Sequence, residues 1–185
     1  GKEKWKQSRD EVTSWSTPLV IAETNPVQVV TSATKRVRSY DLSSGKVLWE
    51  CGGLGAGCVA TPVAGAGIVF AMSGRDPALL AIRCAGASGD ITGSDSVVWH
   101  LDEGIPYVPS PLLYGDTLYF AQKNDGLLSC HNAQTGEPYY SRQRLEEIKG
   151  IYPSPVGADG RVYVLGRNGV TCVLKHGPKF QVLAV

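Results

Sequence analysis

The sequence has almost no net charge and no long apolar run. Its 18 Lys and Arg residues balance 17 Asp and Glu, which leaves a formal net charge of +1. A balance this even does not favour a nucleic-acid or anionic membrane partner. No run of 18 apolar residues occurs, so no transmembrane span is predicted. No signal peptide is apparent at the start either.

Motifs that would indicate catalysis or metal binding are also missing. The three histidines, His100, His131 and His176, are far apart, and neither an HxxxH nor a CxxC spacing occurs. Zinc ligands normally come in such close pairs. No Gly-x-Ser-x-Gly elbow and no phosphate-binding loop is present. We therefore predict no metal site and no catalytic residue, and the sequence favours a protein that is not an enzyme.

Helical periodicity is the third absence. Only residues 142–149, which include Leu145 and Ile148, could form a short helix.

What the sequence does contain is a repeated Ser/Thr-Pro-aliphatic pattern, whose prolines are 44, 49 and 44 residues apart. These prolines are Pro18, Pro62, Pro111 and Pro155. A period of about 40 to 50 residues that contains short strands is typical of propeller blades.

A second marker, a glycine followed by an aromatic residue, keeps the same period. Its five copies are Gly1 with Trp5, Gly45 with Trp49, Gly93 with Trp99, Gly136 with Tyr140, and Gly177 with Phe180. Glycine supplies the turn, and we expect the aromatic ring to pack between neighbouring blades, where a large buried area stabilises the fold.

Each repeat reads as four short strands separated by turns. In the third repeat, the hairpin turn Gly115-Asp116 separates two strands rich in aliphatic and aromatic residues. The first and second repeats carry insertions, at residues 23–26 and 85–94. We predict an all-β fold, a β-propeller or partial propeller of about four blades with four antiparallel strands each. The predicted divisions of this single segment are residues 1–6 (the last strand of a preceding blade), 7–51, 52–101, 102–141 and 142–185.

The stretch from Ser39 to Glu50, Ser-Tyr-Asp-Leu-Ser-Ser-Gly-Lys-Val-Leu-Trp-Glu, resembles the blade motif of pyrroloquinoline-quinone-type β-propeller repeats. Residues 132–136 followed by Tyr140 are a degenerate second copy. The resemblance covers essentially the whole chain and implies a segment of a longer ring of six to eight blades. The family includes quinoprotein alcohol dehydrogenases and an outer-membrane barrel-assembly lipoprotein, so the fold does not decide the function.

The resemblance leaves two functions open. The first is a non-catalytic binding or scaffolding module, located in the periplasm or outside the cell. The alternative is part of a quinone-dependent dehydrogenase whose catalytic residues lie outside this segment. Quinoprotein dehydrogenases carry an adjacent Cys-Cys pair and calcium-binding carboxylates, whereas this sequence has no Cys-Cys; no cofactor is predicted. Because a ring segment ends in unpaired blade faces, two copies could complete a ring as a homodimer.

Two groups of residues are candidates for binding a protein or an anionic small molecule. Aromatic residues shortly before the repeated prolines are expected at the mouth of the central channel, where they could also simply pack between blades. The turns between second and third strands carry basic residues, which equivalent turns would gather on one face; the alternative is ordinary solvated charge. The candidates are Trp15, Tyr107, Tyr152, Lys35, Arg36, Arg75, Lys123 and Arg167.

The five cysteines are an odd number. Cys84, Cys130 and Cys172 lie beside aliphatic residues and are expected to be buried as small apolar side chains. Cys51 and Cys58 flank a glycine-rich loop that would let them meet. The sequence leaves open whether these two form a disulfide.

Overall fold

Each of four sheets begins one residue after a repeated proline. The structure, a computed structural model, describes residues 1–122 and 125–185. The proline has no N–H to donate to a ladder, and an aliphatic strand of three residues follows it. These first strands are β1 (Leu19–Ile21), β5 (Val63–Gly65), β10 (Leu112–Tyr114) and β14 (Val156–Ala158).

The remaining strands follow in chain order and complete four blades. Blade 1 adds β2 (Gln28–Ser32), β3 (Arg36–Asp41) and β4 (Val47–Gly52). Blade 2 adds β6 (Ile68–Ser73), β7 (Ala78–Arg83) and β9 (Val97–Leu101). Blade 3 adds β11 (Thr117–Gln122), β12 (Leu127–Asn132) and β13 (Pro138–Arg144). Blade 4 adds β15 (Arg161–Leu165), β16 (Thr171–Lys175) and β17 (Val182–Ala184).

In every blade, successive strands pair antiparallel in their order along the chain. This arrangement confirms the predicted all-β fold of four blades with four antiparallel strands each. The described residues form no helix with the length and apolarity needed to cross a membrane.

The insertion of the second repeat adds a fifth strand to blade 1. Its strand β8 (Gly89–Asp90) pairs parallel with β4, Trp49 opposite Gly89. The backbone N–H of Gly52 also donates to Thr92 Oγ1 at 2.7 Å. The insertion is therefore fixed to the outer edge of the neighbouring blade.

Three apolar clusters join the blades of the described chain in neighbouring pairs. Alternation along β6 shows the principle, because Val69 and Ala71 pack toward blade 1 whereas Phe70 and Met72 pack toward blade 3. The third cluster joins blades 3 and 4. Within these clusters, blade 4 buries only one face, so that β15 alternates between buried and accessible residues.

The free face of blade 1 is covered by the N-terminal segment. The Trp5 ring stacks on Tyr40 at 6.1 Å between centroids. The Arg38 guanidinium bonds Asp10 at 2.9 Å and also pairs with Glu11. We predicted a strand over residues 1–6, but residues 1–18 contain none. Side-chain contacts, rather than a ladder of backbone hydrogen bonds, hold this segment in place.

Two tryptophans make the same contact with the following repeat. Trp5 Nε1 donates to the Leu42 carbonyl at 2.8 Å, and Trp99 Nε1 donates to the Ala133 carbonyl at 3.0 Å. Each ring lies against the turn glycine of that repeat, so closely that a Cβ on Gly136 would be 2.6 Å from Trp99. The expected packing of aromatic rings between blades is present, and Trp49 is fully buried between blades 1 and 2.

All five cysteines are free and buried. Cys51 and Cys58 lie in the cluster between blades 1 and 2 but form no disulfide. Burial raises the pKa of both thiols to about 11, which keeps them protonated near neutral pH.

The short helix considered for residues 142–149 is absent. Residues up to Arg144 continue β13 and pair with β12, for instance Gln143 with Leu128. Leu145 and Ile148 are buried in the cluster between blades 3 and 4. Their apolar spacing, which suggested a helical face, reflects the packing of this linker against blades 3 and 4.

Candidate functional site

Backbone hydrogen bonds tie the turns between second and third strands to the linkers that enter the blades. In blade 2, the Arg75 N–H donates to the Ala56 carbonyl at 3.0 Å. In blade 4, the Arg167 N–H donates to the Gly150 carbonyl, also at 3.0 Å. The two turns are therefore held in the same way, and each carries one exposed arginine.

Each of these arginines lies over a tyrosine of a neighbouring linker. Arg75 Cζ is 6.0 Å from the centre of the Tyr107 ring, and Arg167 Cζ is 4.3 Å from that of Tyr152. We call these contacts the two Arg–Tyr pairs. Arg75 uses the linker that follows its blade, whereas Arg167 uses the linker that precedes its blade. Within the described ranges, neither arginine is part of an ion pair.

A guanidinium stacked on a ring keeps its N–H edge available. The cation–π contact contributes about 0.5–1 kcal/mol at an exposed site and restricts the side chain. The five N–H groups of arginine lie in one plane and match a carboxylate with two parallel hydrogen bonds. Each Arg–Tyr pair can therefore hold a carboxylate beside a flat apolar surface.

The other basic candidates of blade 1 are already paired with carboxylates. Lys35 Nζ lies 3.0 Å from Asp10, and Arg36 bonds Asp90 at 2.8 Å. Thr92 and Arg36 hydrogen bonds hold the pKa of Asp90 at about 2, so this carboxylate is charged at neutral pH. Arg36 is also the first residue of β3 rather than a turn residue. These two side chains offer a partner less charge than the sequence indicated.

The remaining aromatic candidate, Trp15, contacts the linker that enters blade 2. Trp15 is 59% exposed, and its backbone N–H donates to the Cys58 carbonyl at 3.1 Å. Lys123 lies outside the described residues. Within residues 1–122 and 125–185, no three His, Cys, Asp or Glu side chains converge as metal ligands.

Sequence reasoning missed an ionic cluster under the N-terminal segment. Arg38 bonds Glu50 at 2.9 Å in addition to Asp10 and Glu11, and its side chain is only 11% exposed. Although burial opposes the charged form, the hydrogen bonds that Arg38 donates to Glu50 and Asp10 raise the pKa of Arg38. The alternation of Arg36 and Arg38 along β3 was the one available signal, because it places both side chains on the same face of the strand.

A family of known proteins matches most of this chain. The family described as outer membrane protein assembly factor BamB matches residues 1–173 of this chain. No match was found among curated proteins.

The solved structures that are similar to this chain include the following three. The computationally designed Ika4 protein has a TM-score of 0.63 at 13% identity, covering 96% of this chain and 99% of that one. The designed Ika8 protein has a TM-score of 0.62 at 14% identity, covering 94% of this chain and 50% of that one. BamB from Moraxella catarrhalis has a TM-score of 0.47 at 18% identity, covering 98% of this chain and 63% of that one. The likeness to the two designed proteins supports the fold alone.

Proposed function

Because the chain belongs to the family of outer membrane protein assembly factor BamB, we propose that it is a non-catalytic propeller module that binds an acidic protein segment. The observation that carries this proposal is the pair of exposed arginines, Arg75 and Arg167, each stacked on a linker tyrosine and without a carboxylate partner in the described chain. The family description points to work with other proteins at the outer membrane. The proposal accordingly places the chain in the periplasm or outside the cell.

The geometry of the two pairs suits a protein segment better than a single small anion. The pairs belong to blades 2 and 4, with blade 3 between them. One small carboxylate would engage only one of them, whereas an extended segment with spaced Asp or Glu residues would engage both. The tyrosine rings would then contact apolar side chains between the acidic residues.

Removing both arginines tests this interface. A labelled decapeptide rich in Asp and Glu is the probe, and its Asn/Gln counterpart is the uncharged control. We expect Arg75→Ala combined with Arg167→Ala to weaken binding of the acidic peptide about tenfold or more, which corresponds to about 1.4 kcal/mol or more. Raising the ionic strength should weaken binding further, because salt screens exposed charges beyond about 8 Å at 0.15 M.

A matched variant separates this site from general charge. Arg83 and Arg161 are exposed arginines at the ends of β7 and β15 that lie away from the Arg–Tyr pairs. Replacing both by alanine removes the same charge as replacing Arg75 and Arg167. The proposal requires that this variant bind the peptide within twofold of the parent. Equal loss in the two double variants would mean that the peptide responds to net charge only, and the proposed interface would be wrong.

A further inference from the structure

A cavity opens between blades 1 and 2, at the end of the blades away from the Arg–Tyr pairs. Its volume is about 780 Å³, within the usual range for small-molecule sites. The insertions of the first two repeats line it, with residues 23–26 on one side and residues 85–88 on the other. The third and fourth repeats lack these insertions. The cavity is therefore a departure from the repeat pattern and not a property of every pair of blades.

The floor of the cavity is apolar. Ile21 and Ile68 are 8% and 3% exposed, and Leu48 and Ala64 complete the floor. The second insertion is held to β4 by the parallel pairing of β8. A ligand would thus find the apolar floor and the wall already in place, which lowers the entropic cost of binding.

Gln28 places a hydrogen-bond donor at this floor. The residue is only 7% exposed. Its Oε1 accepts hydrogen bonds from Ser39 Oγ at 2.8 Å and from Trp49 Nε1 at 3.0 Å. An indole N–H can only donate, so the accepting atom must be the amide oxygen. The NH₂ group of the amide then points away from Ser39 and Trp49. It has no hydrogen-bond partner in the described chain, and Gln28 lines the cavity.

Glu23 gives the rim a single negative charge. Among the described residues that line the cavity it is the one charged residue, and its side chain is exposed. No ion pair involves it among residues 1–122 and 125–185. A cationic group at the rim would be attracted to this carboxylate.

We propose that this cavity binds a primary amine that carries a carbonyl group and an apolar side chain. The ammonium pairs with Glu23, the carbonyl oxygen accepts from the Gln28 amide, and the side chain lies on the floor formed by Ile21 and Ile68. The N-terminal residue of a peptide and a free amino-acid amide both have this chemistry. The inference does not depend on the acidic-segment interface, which uses other residues.

Leucinamide is the probe, because it contains the three groups in about nine non-hydrogen atoms, for which a dissociation constant in the millimolar range is expected. Titration followed by protein NMR should show saturable shifts at residues around the cavity. N-acetyl-leucinamide, which lacks the ammonium, should bind at least fivefold more weakly. Leu-Gly-Gly-amide identifies the source: binding equal to or tighter than that of leucinamide indicates a peptide N-terminus, and weaker binding indicates a free amine.

Two variants and a control complete the test. Glu23→Gln should weaken leucinamide binding at least fivefold, and Ala85→Trp, which fills the cavity from an exposed position, should abolish it. Glu146→Gln removes an exposed carboxylate from the linker before blade 4 and should leave binding within twofold of the parent. Absence of saturable binding to the parent, or equal binding by the parent and Glu23→Gln, would overturn the proposal.

Discussion

Replacing Trp49 by alanine should remove a large part of the stability of this chain. The side chain is 0% exposed and packs in the cluster between blades 1 and 2. Its Nε1 donates to Gln28 Oε1, but Ser39 Oγ also donates to that oxygen, so the amide keeps a partner after the substitution. The cost therefore comes from the lost ring and the cavity it leaves, which is about 3–5 kcal/mol for a large buried aromatic residue.

Urea denaturation followed by far-ultraviolet circular dichroism measures this effect, because tryptophan fluorescence would change with the substitution itself. With an m-value of about 2 kcal/mol/M, the midpoint should fall by roughly 2 M. Trp49→Phe retains a ring and should cost less. Trp15→Ala is the control, since Trp15 is 59% exposed and should change the stability by only about 0.5 kcal/mol. If Trp49→Ala and Trp15→Ala shift the midpoint equally, the ring does not join the two blades.

Three further predictions concern the turn glycines, the loss of stability at low pH and the exposed face of blade 4. Gly136→Ala should destabilise the chain more than Gly160→Ala, because both glycines have positive φ but only at Gly136 would the new Cβ meet Trp99; equal urea midpoints would contradict this. Hydrogen bonds from Ser43 and Ser44 lower the pKa of Asp41 from 3.8 to about 2. Its contribution is therefore present above pH 3.8 and lost as the pH falls through about 2, so acid titrations should show a shallower loss of stability for Asp41→Asn than for the parent. Finally, the exposed apolar residues of blade 4, including Leu165, should support a homodimer, whereas a light-scattering mass of 19.7 kDa at high concentration would contradict it.

The blade pattern was predictable because it depends on local signals. A proline followed by an aliphatic residue fixed the start of each first strand, and Gly-Asp and similar turns fixed the hairpins. The aromatic rings pack between blades as expected, as Trp49 does between blades 1 and 2. These features recur in each repeat, so four weak signals support one another.

Features that depend on contacts between distant residues were not predictable. The parallel pairing of β8 with β4 joins residues about 40 apart and has no sequence signature. The cavity beside it arises from two insertions that looked like separate turn extensions. Likewise, the basic residues were predicted as a set, but the carboxylates of Asp10 and Asp90, which neutralise Lys35 and Arg36, come from other parts of the chain.

The three separate clusters between blades also determine how the molecule opens. Each cluster is shared by two neighbouring blades, so the clusters couple each described blade to its neighbours. Unfolding of one blade therefore does not unfold the others at the same time. Blade 4 is supported by one cluster only, whereas blades 2 and 3 are each supported by two. Amide hydrogens of β15 and β16 should therefore exchange with solvent sooner than those of β6 and β7. Blade 4 would then open locally while blades 2 and 3 remain protected from exchange.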